Sequence, residues 1–520
     1  MIKRVFNFLI FLSLVFYGCK TEEDIQPIPE YTPIDLDLFS SNLKGFNLQG
    51  KFDLFWSNEG FSEEEFIMVN DLDFNFVRLP LDYLTYTEYA DWNDFIESEI
   101  SEIDKAIEWG EKHDVHVCLN LHRAPGYSVN KTNLLPRNQQ LNLWTDKDAQ
   151  DAFVNHWKFF AERYRNKSIE ALSFNLINEP SGVDEFTYVT VMQGAIDQIH
   201  NINPNRVIFV DGLNYSNELI LSLKNARNII QAIHVYDPFT LTHYKASWVE
   251  GSDLWPEPVW PMIDISNYLY GPWKADYQSS LVFEGNFLKD TEIIINVKQV
   301  SIESTLEIKL DNQAVLTKQF ICGSDKGEDW TEIILTQWGY QNISNKDYSV
   351  ILPFDGTKLT FSNIDGDWMT YNTISIKSGS SETIIIPGNN SWGSKQDTYK
   401  IDSEGDITDV FGNSLILSNL REKFEEAKIE NIPVMIQEFG VHNQTPHAVT
   451  LAYLSDVVPI FTEYNVGYAL WNLEGSFGII NSDRADCNYE SYQGKLLDRQ
   501  MLDILKNTSN GGRKNFNYSF

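Results

Sequence analysis

Ala171-Leu-Ser-Phe-Asn-Leu-Ile-Asn178-Glu179-Pro180 is an apolar run that ends abruptly in Asn-Glu-Pro. Seven other runs share its build: Leu43–Leu48, Phe74–Leu79, Val115–Leu121, Val207–Val210, Ile230–Val235, Val434–Gln437 and Val466–Leu470. They are nearly continuous in apolar residues rather than alternating, which marks strands buried on both faces. Between them lie segments at helical spacing, such as Ile96, Ile100, Ile103 and Ile107, or Phe153, Trp157, Phe160 and Tyr164. Eight strand-then-helix units predict an α/β fold, the (β/α)8 TIM barrel of parallel strands. An open doubly wound sheet is the alternative. The barrel is favoured because polar residues gather at the C-terminal ends of many strands, not at one switch point.

One interval is out of scale. His234 closes the sixth run and Glu438 the seventh, about 200 residues later, where a βα step needs a few tens. The interval holds a pattern of its own: Thr291–Val300, Thr305–Leu310, Ala314–Phe320, Thr331–Leu335, Tyr348–Leu352, Lys358–Phe361 and Tyr371–Lys377. Short β-rich runs between Gly, Asn and Asp turns predict a β-sandwich domain over 275–391, inserted in the loop after strand 6. The delayed helix of that unit is expected at Leu417–Glu430. The barrel then occupies 35–274 and 392–507, with a tail over 508–520. A loop after a strand opens on the C-terminal face, so the insert is expected to border the site.

The chain has 520 residues, of which 42% are hydrophobic and 22% charged, an ordinary globular balance. Lys and Arg number 40 against 74 Asp and Glu, a formal charge of -34. Such a field repels phosphate backbones and anionic surfaces, so nucleic acid is excluded as a partner and a neutral ligand is favoured. Lys3 and Arg4 precede an apolar run, Val5 to Tyr17, too short to span a bilayer. That reads as a signal peptide over 1–18. Gly18-Cys19 and the following Lys20, Thr21, Glu22, Glu23 and Asp24 resemble the signal of a bacterial lipoprotein, with an acidic patch like the surface-export signal of Bacteroidetes. The resemblance implies lipidation at Cys19, a tether over 19–34, and an outer-membrane anchor facing the cell surface. A periplasmic or secreted location is the alternative. Cys118, Cys322 and Cys487 stand alone and suit neither a disulfide framework nor a zinc site. Histidines number 9, with no H-E-x-x-H and no G-x-S-x-G. No metal, cofactor or serine nucleophile is expected.

Two strand ends carry carboxylates: Glu179 after Asn178, and Glu438 in Val434-Met-Ile-Gln-Glu438-Phe-Gly440. A Glu at the end of a buried strand is costly unless paired or used. Two of them facing each other across a barrel mouth are what glycosidic cleavage requires. One protonates the leaving oxygen, and the other attacks the anomeric carbon or activates water. Two structural ion pairs are the plain alternative.

Further motifs resemble the family 5 glycoside hydrolases, the cellulase family. Leu43-Lys-Gly-Phe-Asn47-Leu looks like its first strand, and Phe76-Val-Arg78-Leu-Pro80 its second. Leu119-Asn-Leu-His122 resembles the third, Asn178-Glu179-Pro180 the acid/base motif, and His234-Val-Tyr236 the sixth strand. Glu438-Phe-Gly resembles the nucleophile motif and Ala469-Leu-Trp471-Asn the eighth strand. The resemblance implies Glu179 as acid/base and Glu438 as nucleophile in a retaining reaction. It implies that Tyr236 orients the nucleophile and that Asn178 holds the sugar 2-hydroxyl. His122 and His234 bind sugar hydroxyls or Glu179, and Trp471 floors the cleaved subsite. Arg78 can give Glu438 a charge-assisted hydrogen bond.

The expected activity is endo-cleavage of a neutral β-linked polysaccharide, of β-1,4-glucanase or mannanase type, by a monomer. An exo-acting glycosidase with a cleft narrowed by the insert is one alternative. A non-catalytic surface glycan-binding lipoprotein is another, disfavoured because binding alone does not demand both carboxylates. Secondary candidates are Trp248, Trp255, Trp260 and Trp273, as stacking platforms or equally as the glue between barrel and sandwich, and His442 and His447 near the cleft. Arg123–Tyr127 and the Asn-rich loop to Leu143 are expected to wall the cleft; Trp330, Trp338, Tyr340 and Trp368 are candidates for a binding face on the insert, with core aromatics of a spacer domain the favoured reading.

Overall fold

Eight strands form a closed barrel: β1 Lys44–Asn47, β2 Phe76–Asp82, β3 His116–Ala124, β4 Leu172–Asn175, β5 Ile208–Asp211, β6 Ile229–Val235, β7 Val434–Phe439 and β8 Tyr468–Leu470. The structure, a computed structural model, describes residues 28–506 apart from 90, 130–140, 261–262, 380, 404, 406 and 409–411. Cys19, the signal segment and the 508–520 tail lie outside the described residues, as does most of the loop after Tyr127. Neighbours run in the order β2-β1-β8-β7-β6-β5-β4-β3, and a β2–β3 pairing closes the ring. Every pairing around the ring is parallel. Each predicted apolar run overlaps one of these strands.

The period of two along a strand explains the site's location. Phe76, Cys118, Phe209, Ile230 and Met435 share an apolar cluster inside the ring. Two residues on from four of them stand Arg78, Asn120, Asp211 and Gln437, all buried. The interior thus changes from apolar to polar on the way to the C-terminal mouth. Alternate residues, such as Val77 and Leu79, join the outer core with the helices. Helix Glu97–Lys112 buries Ile100, Ile103 and Ile107 there, and helix Lys147–Arg163 buries Phe153, Trp157 and Phe160.

β1 lies unusually close to β2. A Cβ on Gly45 would sit 1.7 Å from the Phe76 carbonyl oxygen. Backbone cannot yield as a flexible side chain can, so Gly45→Ala is expected to destabilise the barrel by about 3 kcal/mol. Urea unfolding would register this as a lower midpoint at unchanged slope.

The insert lies between β6 and helix Gly412–Glu430. One sheet runs Tyr268–Tyr270, Trp368–Ser378, Glu292–Ser301, Gly339–Ile351, Leu335–Thr336, with Ser381–Ile385 also paired to Trp368–Ser378. The other runs Gln313–Ile321, Glu303–Leu310, Gly356–Gly366, Leu281–Phe287, Thr398–Ile401, Ile407–Thr408. Inward residues of both sheets, including Phe283, Ile295, Ile308, Phe361 and Met369, share one core separate from the barrel's. Strands on each side of 275–391 take part: Tyr268–Tyr270 pairs with Trp368–Ser378, and Thr398–Ile401 runs parallel to Leu281–Phe287.

Candidate active site

A break in register creates the centre of the mouth. β7 pairs with β6 until Ile436, and after a bulge Glu438 stands opposite His234. A bulge re-aims the side chains that follow it. Gln437 and Glu438 both end up buried, where strict alternation would turn one outward. Glu179 arrives from the end of β4 with φ +49°, left-handed for a residue that disfavours it. Tyr127 donates its hydroxyl to the Glu179 carbonyl at 2.5 Å.

Arg78 organises the carboxylate side. Its Nη1 donates to Glu438 Oε1 at 2.6 Å and to Asn47 Oδ1 at 3.0 Å. Nη2 donates to Asn178 Oδ1 at 2.7 Å, and Nε to Asn175 Oδ1 at 3.0 Å. The Tyr236 hydroxyl donates to Glu438 Oε2 at 3.1 Å. His234 Nδ1 lies 2.8 Å from Glu179 Oε1 and 3.6 Å from Glu438 Oε2. One oxygen of each carboxylate and this nitrogen all fall within 4.8 Å of one another.

Burial pushes the Glu438 carboxyl up to about 7; the Glu179 charge adds to this, while His234 and Arg78 pull against it. Burial alone would lower the His234 imidazole, but the charges of Glu438, Glu179 and Asp211 outweigh it and the net shift is upward. Burial, reinforced by the Arg78 charge, holds His122 well below its ordinary value and hence neutral. The Tyr236 phenol is raised by burial and by the Glu438 charge.

All eight predicted barrel residues therefore converge. Trp471 is half-buried, with its ring 5.5 Å from His122 and 5.6 Å from Phe52. Phe52 was not anticipated. It also lies 4.7 Å from His122 and carries the Arg123 guanidinium at 5.0 Å. Asp211 was missed as well. It is fully buried at the end of β5, within 3.5 Å of His234 Nε2. On the far side Tyr236 meets His243 at 4.9 Å, and Trp248, 48% exposed, meets His442 at 5.1 Å. Asn178 Nδ2 and His122 Nδ1 are buried with no hydrogen-bond partner among the described residues.

Other candidates lie elsewhere. Arg123 is buried in an ion pair with Asp53 at 2.7 Å, so it braces the loop after β1. Trp260 donates to Asp456 at 3.0 Å and ties the stretch after β6 to a barrel helix. His447 pairs with Asp498 at 2.7 Å. On the insert, Trp330 belongs to the core and Trp368 is buried, while Trp338 is 72% exposed on a hairpin. These positions do not form one binding face. A cavity of about 1050 Å³ opens in the seam between insert and barrel, lined by Phe239, Trp255, Asn296 and Asn372 among others, and not by Glu179 or Glu438.

Three groups that could ring a cation are Glu179, His234 and Glu438. Arg78 already holds a positive charge 2.6 Å from Glu438, so a metal ion would face a buried guanidinium. The donor set fits proton transfer and nucleophilic attack better than metal binding.

The sequence model of the cellulase family, glycosyl hydrolase family 5, matches residues 34–265. That stretch holds β1–β6 and Glu179 and stops before the insert and Glu438. Endoglucanase C of Acetivibrio thermocellus is 31% identical over 221 residues, covering 40% of this chain and 61% of that relative. A probable glucan 1,3-beta-glucosidase A of Aspergillus clavatus is 25% identical over 184 residues, 35% of this chain and 43% of the relative. The chain thus spans less than two thirds of the length of these curated relatives. Among solved structures, a glycoside hydrolase superposes with TM-score 0.56 at 24% identity, over 89% of this chain and 98% of that one. Thermotoga maritima Cel5A with cellobiose gives 0.52 at 15% identity, over 91% and 99%. Those two likenesses establish the fold. Over residues 34–265, the part of the barrel that carries β1–β6 and Glu179, the chain is similar to the cellulase family, glycosyl hydrolase family 5.

Proposed function

We propose that the protein is a retaining glycoside hydrolase that cuts neutral β-linked polysaccharide internally, as a β-1,4-glucanase or mannanase. The observation that carries this reading is the approach of the two carboxylates, with an oxygen of each within 4.8 Å. Double displacement uses carboxyl groups about 5 Å apart, whereas inversion needs about 6.5–9.5 Å to admit a water. The name of the Acetivibrio relative, an endoglucanase, points the same way.

In the first step Glu438 attacks the anomeric carbon, held by Arg78 and Tyr236, while Glu179 passes its proton to the departing oxygen. In the second, Glu179 takes a proton from water, the water oxygen bonds to the anomeric carbon, and Glu438 leaves. Asn178 Nδ2, without a partner among the described residues, is available to the sugar 2-hydroxyl, whose bond tightens in the oxocarbenium-like transition state. Trp471 and His122 suit the apolar face and the hydroxyl edge of the same sugar.

Attack requires ionised Glu438. With its carboxyl raised to about 7, kcat/KM is expected to fall as pH drops through about 7, and to recover above it. A pH profile on an aryl glycoside checks this. An acid limb near 4.5 instead would mean that the buried pair does not set the limb.

Size separation of products from a panel of neutral polysaccharides and aryl glycosides tests the function. Ladders of oligosaccharides are expected. Single sugars would favour exo action, the second reading, which the 1,3-beta-glucosidase relative supports. No cleavage of any β-glycan would overturn the reading.

We also infer that Cys19 carries lipid and that the enzyme sits on the outer membrane of a bacterium. The apolar run before Gly18-Cys19 and the acidic residues after it support this. Cys19→Ala should move the protein from the membrane to the soluble fraction. A variant that stays with the membrane counts against the anchor.

A further inference from the structure

Asp211 takes no part in the steps above, yet several strands of the site lead to it. Its Oδ1 accepts from Asn175 Nδ2 at 2.7 Å, and Asn175 in turn accepts from Arg78. Its Oδ2 accepts from the backbone N–H of Glu179 at 2.9 Å and from the Ser216 hydroxyl at 2.8 Å. Both of those partners sit on strained backbone. Glu179 has φ +49°, and Asn214, Tyr215 and Ser216 have φ of +54°, +61° and +61° in succession. Such conformations persist where the surroundings over-determine them, and they cluster at functional sites.

Among the described residues one basic group lies within ion-pair distance of Asp211. A fully buried carboxylate is costly without a compensating cation. Among the described residues no Lys or Arg lies within ion-pair distance, and His234 Nε2, at 3.5 Å, is the nearest basic atom. That nitrogen is itself buried with no hydrogen-bond partner among the described residues. The opposite ring nitrogen meets Glu179 Oε1 at 2.8 Å. A neutral imidazole carries one hydrogen, and the carboxylate on one side decides which nitrogen keeps it.

We propose that Asp211 is a positioning residue for the acid: it anchors the backbone of Glu179 and keeps a hydrogen on His234 Nε2, so that Nδ1 always faces Glu179 in a defined state. Contacts of this kind are often long in a free enzyme and tighten in the complex. The inference rests on the reading of Glu179 as the acid. The other charged groups facing His234 are Glu179 from the end of β4 and Glu438 from β7. Arg78 from β2 and His122 from β3 lie next around it.

The test is Asp211→Asn, assayed as kcat/KM on aryl β-glycosides with good and poor leaving groups. A dinitrophenolate needs no proton, and a phenolate does. The expected loss is on the order of a hundredfold on the phenyl substrate and within about threefold on the dinitrophenyl one. Its alkaline limb should also move to lower pH, because removing the anion weakens proton retention at His234. Equal losses on both substrates, with the limb unmoved, would overturn the proposal. A second measurement uses the wild-type chain with ¹⁵N-labelled histidine. An Nε2–H signal for His234 at neutral pH, as tautomer or imidazolium, is expected, and a ring protonated on Nδ1 alone overturns the inference even if the variant does not fold. Wild-type protein inert toward every aryl glycoside would instead sink the enzymatic reading, leaving the imidazole spectrum to decide this one.

Discussion

Glu438→Gln is expected to lower kcat by on the order of 10³-fold or more while leaving the barrel folded. An amide cannot displace a leaving group from the anomeric carbon. Its oxygen can still accept from Arg78, and its NH2 can donate to the Tyr236 hydroxyl, where these groups now reach the two carboxylate oxygens at 2.6 and 3.1 Å. Arg78 keeps neutral acceptors in Asn47, Asn175 and Asn178, so the guanidinium is not stranded. The loss should be as large on a dinitrophenyl glycoside as on polysaccharide, because the nucleophile is needed for both. Turnover near the wild-type rate, with circular dichroism unchanged, would remove Glu438 from the mechanism.

Glu179→Gln should behave differently. Polysaccharide hydrolysis is expected to fall by about 10²–10⁴-fold, the usual worth of a positioned proton donor. Glycosylation by a dinitrophenyl glycoside should survive far better, since that leaving group departs as an anion. Deglycosylation still lacks its base, so a burst of dinitrophenol followed by a slow steady state is expected. Stopped-flow release of the phenolate measures both phases. Parallel losses on good and poor leaving groups would erase the distinction between the two carboxylates.

Most of the barrel could be read in advance because strands buried on both faces announce themselves as unbroken apolar runs. The two Glu were legible for a related reason: a carboxylate closing such a run has no cheap structural excuse. Asp211 escaped notice because Val210-Asp211-Gly212 has the look of an ordinary turn. Only the closed ring reveals that its side chain points to the centre. Phe52 lies in a loop with no periodicity to mark it. At the insert, Tyr268–Tyr270 and Thr398–Ile401 are too short to stand out, and their pairing partners are 98 or more residues away. Trp330 and Trp368 could not be sorted into core or surface, since an aromatic on a two-sided sheet serves either face equally well.

The place of the insert has a cost during synthesis. β6 hydrogen-bonds to β7 along one edge, but about 200 residues must be made between Val235 and Val434. At about 5–20 residues per second, that edge waits roughly 10–40 s on the ribosome with its neighbour unborn. An apolar strand with open amides and carbonyls is an aggregation template over that time. The inserted sheets, with a core of their own, are able to fold meanwhile and bring the two ends of the interruption back together. The nascent barrel would then wait as an arc of six strands, still lacking β7, which bears Glu438, and β8.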